Sequence, residues 1–228
     1  MKLVLFDIDG TMLWSDGAGR RSMTAALIET IGSAGPEGYR YDGKTDPQIA
    51  RDIMRHEGVA EERIGALIPV LLERYVVLLE EELRARRLAL FPGVAALVER
   101  IEAEEELVPG LLTGNVRAGA ELKLRAAGVD FARFPVGAFG SDHAERPELP
   151  AIAQRRARET LGAAVAGEHV IVIGDTPADI ACGRGIGARA IAVATGHYGV
   201  EELARHAPAA VFATLEDTDA VMAVIRDG

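Results

Sequence analysis

Three short stretches of this 228-residue chain concentrate carboxylates, hydroxyls and glycines. They are Asp7-Ile8-Asp9-Gly10-Thr11, Thr113-Gly114-Asn115 and Gly174-Asp175-Thr176-Pro177-Ala178-Asp179. Brought within about 4–6 Å of one another, Asp7, Asp9 and Asp175 would repel, and one would take up a proton. A hard divalent cation resolves that conflict, and carboxylate oxygens with retained waters suit Mg²⁺. Such a cation can clamp a phosphate oxygen and offset its charge. The glycines allow backbone N–H groups close to that phosphate, and helices starting after Asn115 and Pro177 would aim positive ends at it. Each stretch alone also reads as a turn, Asp-Gly being a turn dipeptide. The convergence of three stretches favours chemistry.

What must position them is a parallel sheet. Short apolar runs, many of them β-branched, occur at Leu3–Ile8, Leu107–Thr113, Pro135–Phe139, His169–Gly174, Arg189–Ala194 and Ala210–Ala213. Helical-period segments at Arg117–Ala127, Glu148–Leu161 and Ala178–Gly185 separate the later ones. Alternating strands and helices indicate a parallel sheet covered on both faces, with ligands beyond the carboxyl ends of its strands. All three stretches follow such runs. One interval breaks the alternation. Between the first and second strands the helical patterns at Arg20–Ile31, Pro47–His56, Ala60–Leu88 and Val94–Glu104 succeed one another without a strand. A crossover needs one helix, so residues 15–88 read as an all-helical insertion. Within it Leu67, Leu71, Leu72, Tyr75, Leu78 and Leu79 form an apolar stripe, read as core packing.

Composition removes several classes. Thirty-five acidic against twenty-five basic residues give a net charge of −10, which argues against a nucleic-acid partner. The single cysteine, Cys182, cannot form an internal disulfide and reads as packing. The apolar run Leu3–Phe6 stops at Asp7, too short for a signal peptide, and no run approaches the 18 or so residues of a membrane helix. The expected setting is therefore cytoplasmic, without a membrane partner. The five histidines lack metal-ligand spacing with cysteine, Ser141-Asp142-His143 is no triad by adjacency alone, and Gly17-Ala18-Gly19 is no dinucleotide fingerprint.

The three stretches resemble, in order and spacing, motifs I, II and IV of the haloacid dehalogenase superfamily, and the resemblance covers essentially the whole chain. The insertion resembles the cap of the subgroup containing phosphoglycolate phosphatases and β-phosphoglucomutases. This implies an α/β fold, a Rossmann-like parallel-sheet core (1–14 and 89–228) with an inserted helical cap (15–88). It also implies roles. Asp7 would be the nucleophile that forms an aspartyl-phosphate, and Asp9 the acid/base; alternate strand residues share a face, so both reach one site. Thr113, with the backbone at Gly114 and Asn115, would hold the phosphoryl group. Asp7, the Asp9 carbonyl and Asp175 would bind Mg²⁺, with Asp179 supporting its water shell. In the cap, Gly43-Lys44-Thr45-Asp46 resembles a substrate-facing segment, making Thr45 a binding candidate. The same segment reads equally as a helix start, with Asp46 as cap and Pro47 first in the helix.

The third motif departs from the family pattern, which expects a lysine or arginine that neutralises nucleophile and phosphate. No lysine stands in the region, and Arg146-Pro147 is the best match. Arg155, Arg156 and Arg158 on the following helix read as solvated-face charges. Arginine keeps its charge and grips phosphate with two donors, so Arg146 suits the role. The implied function is Mg²⁺-dependent hydrolysis of a small phosphorylated metabolite, phosphoglycolate-like, by a monomer or homodimer. A phosphomutase would keep the same residues, and an inactive binding protein of this fold would not need them. A dehalogenase is disfavoured by Asp9, and a response-regulator receiver by the insertion.

Overall fold

The computed structural model describes residues 1–162 and 164–227. Six strands, β1 (Lys2–Phe6), β2 (Leu107–Thr113), β3 (Val136–Phe139), β4 (Val170–Gly174), β5 (Arg189–Val193) and β6 (Ala210–Phe212), form one parallel sheet in the order β3-β2-β1-β4-β5-β6. The expected strands are all present: β2 keeps its expected bounds, β1 starts one residue earlier and ends two earlier, and the other four are one residue shorter. Alternation sorts β1 by face: Val4 and Phe6 join one apolar cluster, Leu3 and Leu5 the other. Helices α4 (Val94–Glu102), α5 (Arg117–Ala126) and α9 (Thr218–Arg226) supply residues to the first cluster. Helix α6 (Leu149–Leu161) and the end of α7 (Pro177–Cys182) cover the second, which includes the buried Cys182. The short α8 (Val200–Ala204) packs beside β5 and β6. This is the α/β, Rossmann-like arrangement expected.

Between β1 and α4 lie α1 (Ala18–Ile31), α2 (Asp46–His56) and α3 (Glu61–Arg84). These three helices share an apolar cluster of their own, to which Val116 at the start of α5 also belongs. On α3 the fully packed positions are Ile64, Ile68, Leu71, Tyr75, Leu79 and Leu83, a stripe at helical spacing. It shares Leu71, Tyr75 and Leu79 with the stripe read from sequence; Leu67, Leu72 and Leu78 are half-buried beside it. The helix ends at Arg84 rather than Leu88, and Leu90 bridges back to Leu13. Helix α7 likewise stops at Cys182 and tightens into a 3₁₀ turn over Gly183–Ile186. Among the described residues no helix is long and apolar enough to cross a membrane.

The strand order places the reversal between β1 and β4. From β1 the chain builds outward through β2 to β3, then returns to the other side with β4. Open α/β sheets bind ligands at such a point, outside the carboxyl ends of the strands. Phe6 is paired with Ile173 on one side and Leu111 on the other, and Asp7 N–H donates to the Ile173 carbonyl at 2.9 Å. Asp7 therefore leaves the sheet between the residues that follow β2 and β4.

Candidate active site

A cavity of about 190 Å³ opens at these strand ends, its walls drawn from the sheet and from α1–α3. Asp7, Asp9, Thr113, Gly114, Asn115, Arg146 and Asp175 all reach it. Asp7, Asp175 and Asp179 each place a carboxylate oxygen within 4.8 Å of the others. All three are buried, and burial is the main cause pushing the Asp7 and Asp175 carboxyls above the ordinary range. Neighbouring negative charge adds to it, from Asp179 and Asp9 on Asp7 and from Asp179 and Asp7 on Asp175. Arg146 opposes the rise at both, together with hydrogen bonds from Thr113 to Asp7 and from Thr11 Oγ1 to Asp175 Oδ1, the latter at 3.0 Å. Three buried carboxylates around one guanidinium leave negative charge in excess. An all-oxygen donor set of this kind fits a hard divalent cation.

Backbone shape brings Asp175 this close. Gly10 has φ +83°, and a Cβ there would lie 2.3 Å from Asp175 Oδ2. A left-handed, side-chain-free residue is therefore required after Asp9.

Arg146 is the cation of this cluster. Its side chain is 5% exposed; Nη2 lies 3.2 Å from Asp7 Oδ1 and pairs with Asp179 Oδ1. Burial works against its charge, but Asp179 and Asp7 win and push its pKa up. The alternatives fall away by position. Arg156 pairs with Asp142 and donates to the Gly137 carbonyl, while Arg155 and Arg158 are exposed.

Asp179 is more tightly engaged than a residue serving only metal waters. Its Oδ2 accepts from Thr176 N at 3.0 Å and Thr176 Oγ1 at 2.7 Å, a capping box that starts α7, while Oδ1 takes Arg146. It thus anchors Arg146 and the helix together.

Asp9 points away from the carboxylate cluster. Its Oδ2 accepts from Lys123 Nζ at 2.5 Å and Asn115 Nδ2 at 2.8 Å, and its Oδ1 from Ser15 Oγ at 3.1 Å. Burial raises its pKa, yet the Lys123 charge and these three hydrogen bonds outweigh it and hold the group below its ordinary value. Asn115 ties the site together: Nδ2 also donates to Thr113 Oγ1 at 2.8 Å, and Oδ1 accepts from Lys123 at 2.6 Å. Its side chain is thus spent on positioning Asp9 and Thr113.

Two sequence expectations change. Thr45 does not line the cavity. It is fully buried, its Oγ1 donating to the Ala144 carbonyl at 2.5 Å and accepting from Gln48 N at 3.2 Å. Thr45, not Asp46, caps α2, and Pro47 takes the second helical position, where its missing N–H costs nothing. Asp46 instead docks this segment on the sheet end. Its N–H donates to the Gly114 carbonyl at 2.8 Å, and its Oδ2 accepts from Val116 N at 2.8 Å. The approach is close enough that a Cβ on Gly114 would lie 2.1 Å from the Lys44 carbonyl oxygen.

Lys123 and Tyr75 were not read as functional from sequence. Lys123 lies on α5 in a stretch resembling an ordinary charged helix face, yet its side chain is 4% exposed and reaches Asp9. Its one faint signal is its position eight residues, or about two turns, after Asn115. Tyr75 sits in the core stripe of α3 as expected, but it also reaches the cavity wall.

Comparison with known proteins agrees with this architecture. A hydrolase from Pseudomonas syringae superposes with a TM-score of 0.72 at 21% identity, covering 98% of this chain and 97% of its own. CbbY from Rhodobacter sphaeroides, in complex with phosphate, gives 0.72 at 20% identity over 95% and 96% of the two chains. A predicted phosphoglycolate phosphatase from Haemophilus somnus 129pt gives 0.70 at 18% identity over 97% and 98%. No curated protein matches the chain. The haloacid dehalogenase-like hydrolase family matches residues 1–187, a span holding β1, β2 and β4 with the site residues at their ends. The chain belongs to the haloacid dehalogenase-like hydrolases.

Proposed function

We propose that the protein is a Mg²⁺-dependent phosphatase that hydrolyses a small phosphomonoester through an aspartyl-phosphate. The observation that carries this is the separation of two carboxylates two residues apart. Asp7 stands among acidic neighbours beside Arg146, while Asp9 is held in a network of its own by Lys123, Asn115 and Ser15. Two carboxylates in unlike environments suit unlike roles, here nucleophile and acid/base.

Asp7 attacks phosphorus, forming an acyl-phosphate bond as the bond to the leaving oxygen breaks. Asp9 passes a proton to that oxygen. In the second half Asp9 takes a proton from water, which attacks the phosphorus and frees Asp7. The resting network holds Asp9 ionised, ready for the second half. For the first, the negative phosphoryl group arriving beside it raises its proton affinity. Thr113 orients Asp7, and Arg146 offsets the charge of nucleophile and phosphate. Asp7, Asp175 and the Asp9 carbonyl would hold Mg²⁺, which when bound supplies positive charge against the phosphate oxygens. A 190 Å³ cavity suits a small ester. Residues 15–88 would act as the cap that shields the site.

Phosphate release from a panel of small esters, with Mg²⁺ and with EDTA, tests the reading. Turnover that needs Mg²⁺ and disappears in Asp7→Asn is expected. Full activity of Asp7→Asn, or no turnover of any ester, would reject it. Conversion of β-glucose 1-phosphate to glucose 6-phosphate without phosphate release would identify a mutase instead.

A further inference from the structure

Tyr75 is 1% exposed and lines the cavity, and its hydroxyl takes no hydrogen-bond partner from the protein among the described residues. It is not one of the buried polar atoms left without a partner, so the hydroxyl opens on the cavity itself. A polar group free on the wall of a substrate cavity is available to a ligand oxygen. Lys123 Nζ stands beside it: a Cβ on Gly19 would meet Lys123 Nζ at 3.3 Å and Tyr75 Oη at 3.6 Å. Gly19 itself lines the cavity, and its missing side chain leaves this corner open. Lys123 spends two of its three N–H donors on Asp9 and Asn115. Asp46, 8% exposed and close enough for the Lys123 charge to act on it, spends Oδ2 on Val116 N and lines the same wall.

The corner's charge selects its ligand. Asp9 and Asp46 are two acids against one base, Lys123, so the corner is net negative. A second anionic group on the substrate would face that surplus. A neutral hydroxyl would not: it can donate to the Asp46 carboxylate and accept from Tyr75 or from the third Lys123 N–H. The other cap cations on the cavity wall are already engaged. Lys44 bonds Asp52 Oδ2 at 2.8 Å and Tyr39 Oη at 2.7 Å, and Arg20 donates to the Tyr39 carbonyl at 3.0 Å with its guanidinium over the Tyr41 ring. Because Lys123 also touches the acid/base Asp9, this corner receives the leaving-group carbons nearest the ester oxygen.

Building on the phosphatase reading, we propose that Tyr75, Asp46 and Lys123 form a hydroxyl subsite for the leaving group. The substrate class is then a phosphorylated polyol or sugar with a hydroxyl next to the ester carbon. A phosphorylated carboxylic acid such as phosphoglycolate would be a poor substrate.

The test compares three small esters: glycerol 1-phosphate, propyl phosphate, which lacks the hydroxyls, and phosphoglycolate, which carries a carboxylate in their place. Wild-type kcat/KM is expected to favour glycerol phosphate over each by at least about tenfold, the value of one well-made hydrogen bond. Tyr75→Phe should lower the glycerol-to-propyl ratio about tenfold. Asp46→Asn should raise the phosphoglycolate-to-glycerol ratio by a similar factor. Ratios taken on one preparation are insensitive to its folded fraction. A wild-type ratio near one, or ratios unmoved in both variants, would overturn the subsite. The same ratios taken as dissociation constants by calorimetry need no turnover. Hydrolysis of no ester in the wider panel would reject the phosphatase reading, while the affinity ratios still decide the subsite.

Discussion

Lys123 Nζ lies 2.5 Å from Asp9 Oδ2, joining α5 to the turn that follows β1, with 4% of the lysine side chain exposed. Replacing it by methionine leaves the half-buried Asp9 without its cation. A fully buried pair broken this way costs about 3–5 kcal/mol, and the water reaching Asp9 reduces that to about 1–3 kcal/mol. The sign with pH follows from Asp9. Its folded pKa is depressed, so the pair stabilises the fold above the ordinary carboxylate value and the gain is lost as pH falls through the folded one. Urea unfolding of wild type and Lys123→Met should therefore differ most near neutral pH and converge as the solution is acidified below about pH 4. A difference constant across that range would show that packing, not charge, is what the lysine contributes.

That relationship marks where sequence reading stops. The sheet was legible because its strands are short apolar runs ending at Asp7, Thr113 and Gly174, and a parallel sheet gathers such ends at one edge. Arg146 was legible only through the family resemblance, which expects a lysine or arginine ahead of the fourth motif and is best matched by Arg146-Pro147. Lys123 was not, since nothing in Arg117–Ala126 separates it from a surface lysine. Only the packing of α1 and α3, with Gly19 lacking a side chain, encloses it. Thr45 and Asp46 are adjacent residues that can each cap a helix and tolerate the proline after them. The choice was made by the Ala144 carbonyl and Val116 N–H, ninety-nine and seventy residues away.

The carboxylate cluster ties stability to metal and pH together. The folded pKa values of Asp7 and Asp175 are raised, so without a cation their contribution is intact below the ordinary carboxylate range and is lost as pH rises through the folded values. A divalent cation replaces the protons. Thermal unfolding with excess Mg²⁺ against EDTA should show a larger gain at pH 8 than at pH 5. At a hundredfold excess over the dissociation constant, the gain is about 2.7 kcal/mol. Equal melting temperatures with and without Mg²⁺ at pH 8 would contradict a metal role for these residues.

Thr45→Val separates a structural from a substrate role. The substitution keeps the shape and removes the hydroxyl that caps α2 and donates to Ala144. The expected result is a stability loss of about 1–2 kcal/mol with KM changed less than about twofold. A large rise in KM at unchanged stability would return Thr45 to the binding site.

Glycine positions give opposite signs in one experiment. Gly65 is exposed on α3 with open space where a Cβ would go, so Gly65→Ala should stabilise by about 0.5–1 kcal/mol. At Gly196 the added Cβ would lie 1.8 Å from Asp175 Oδ2. Gly196→Ala should therefore displace that carboxylate and raise the Mg²⁺ concentration needed for half-maximal activity by tenfold or more. An unchanged Mg²⁺ titration would mean that Asp175 does not hold the ion.

Arg146 offers the sharpest test of electrostatics at the nucleophile. One nitrogen, Nη2, serves both Asp7 and Asp179, so a single donor fixes two carboxylates at once. Arg146→Lys keeps the charge on a shorter side chain whose ammonium falls short of the Nη2 position. Arg146→Met removes the charge and leaves three buried carboxylates uncompensated. Loss of one preorganised donor at a developing charge typically costs about 10²–10³ in kcat. Lysine should therefore fall by tens and methionine by about a thousand, with added Mg²⁺ recovering neither. Stopped-flow kinetics would place the defect in formation of the aspartyl-phosphate. Equal rates for the two variants would mean that Arg146 acts by shape alone and that its charge does nothing for the nucleophile.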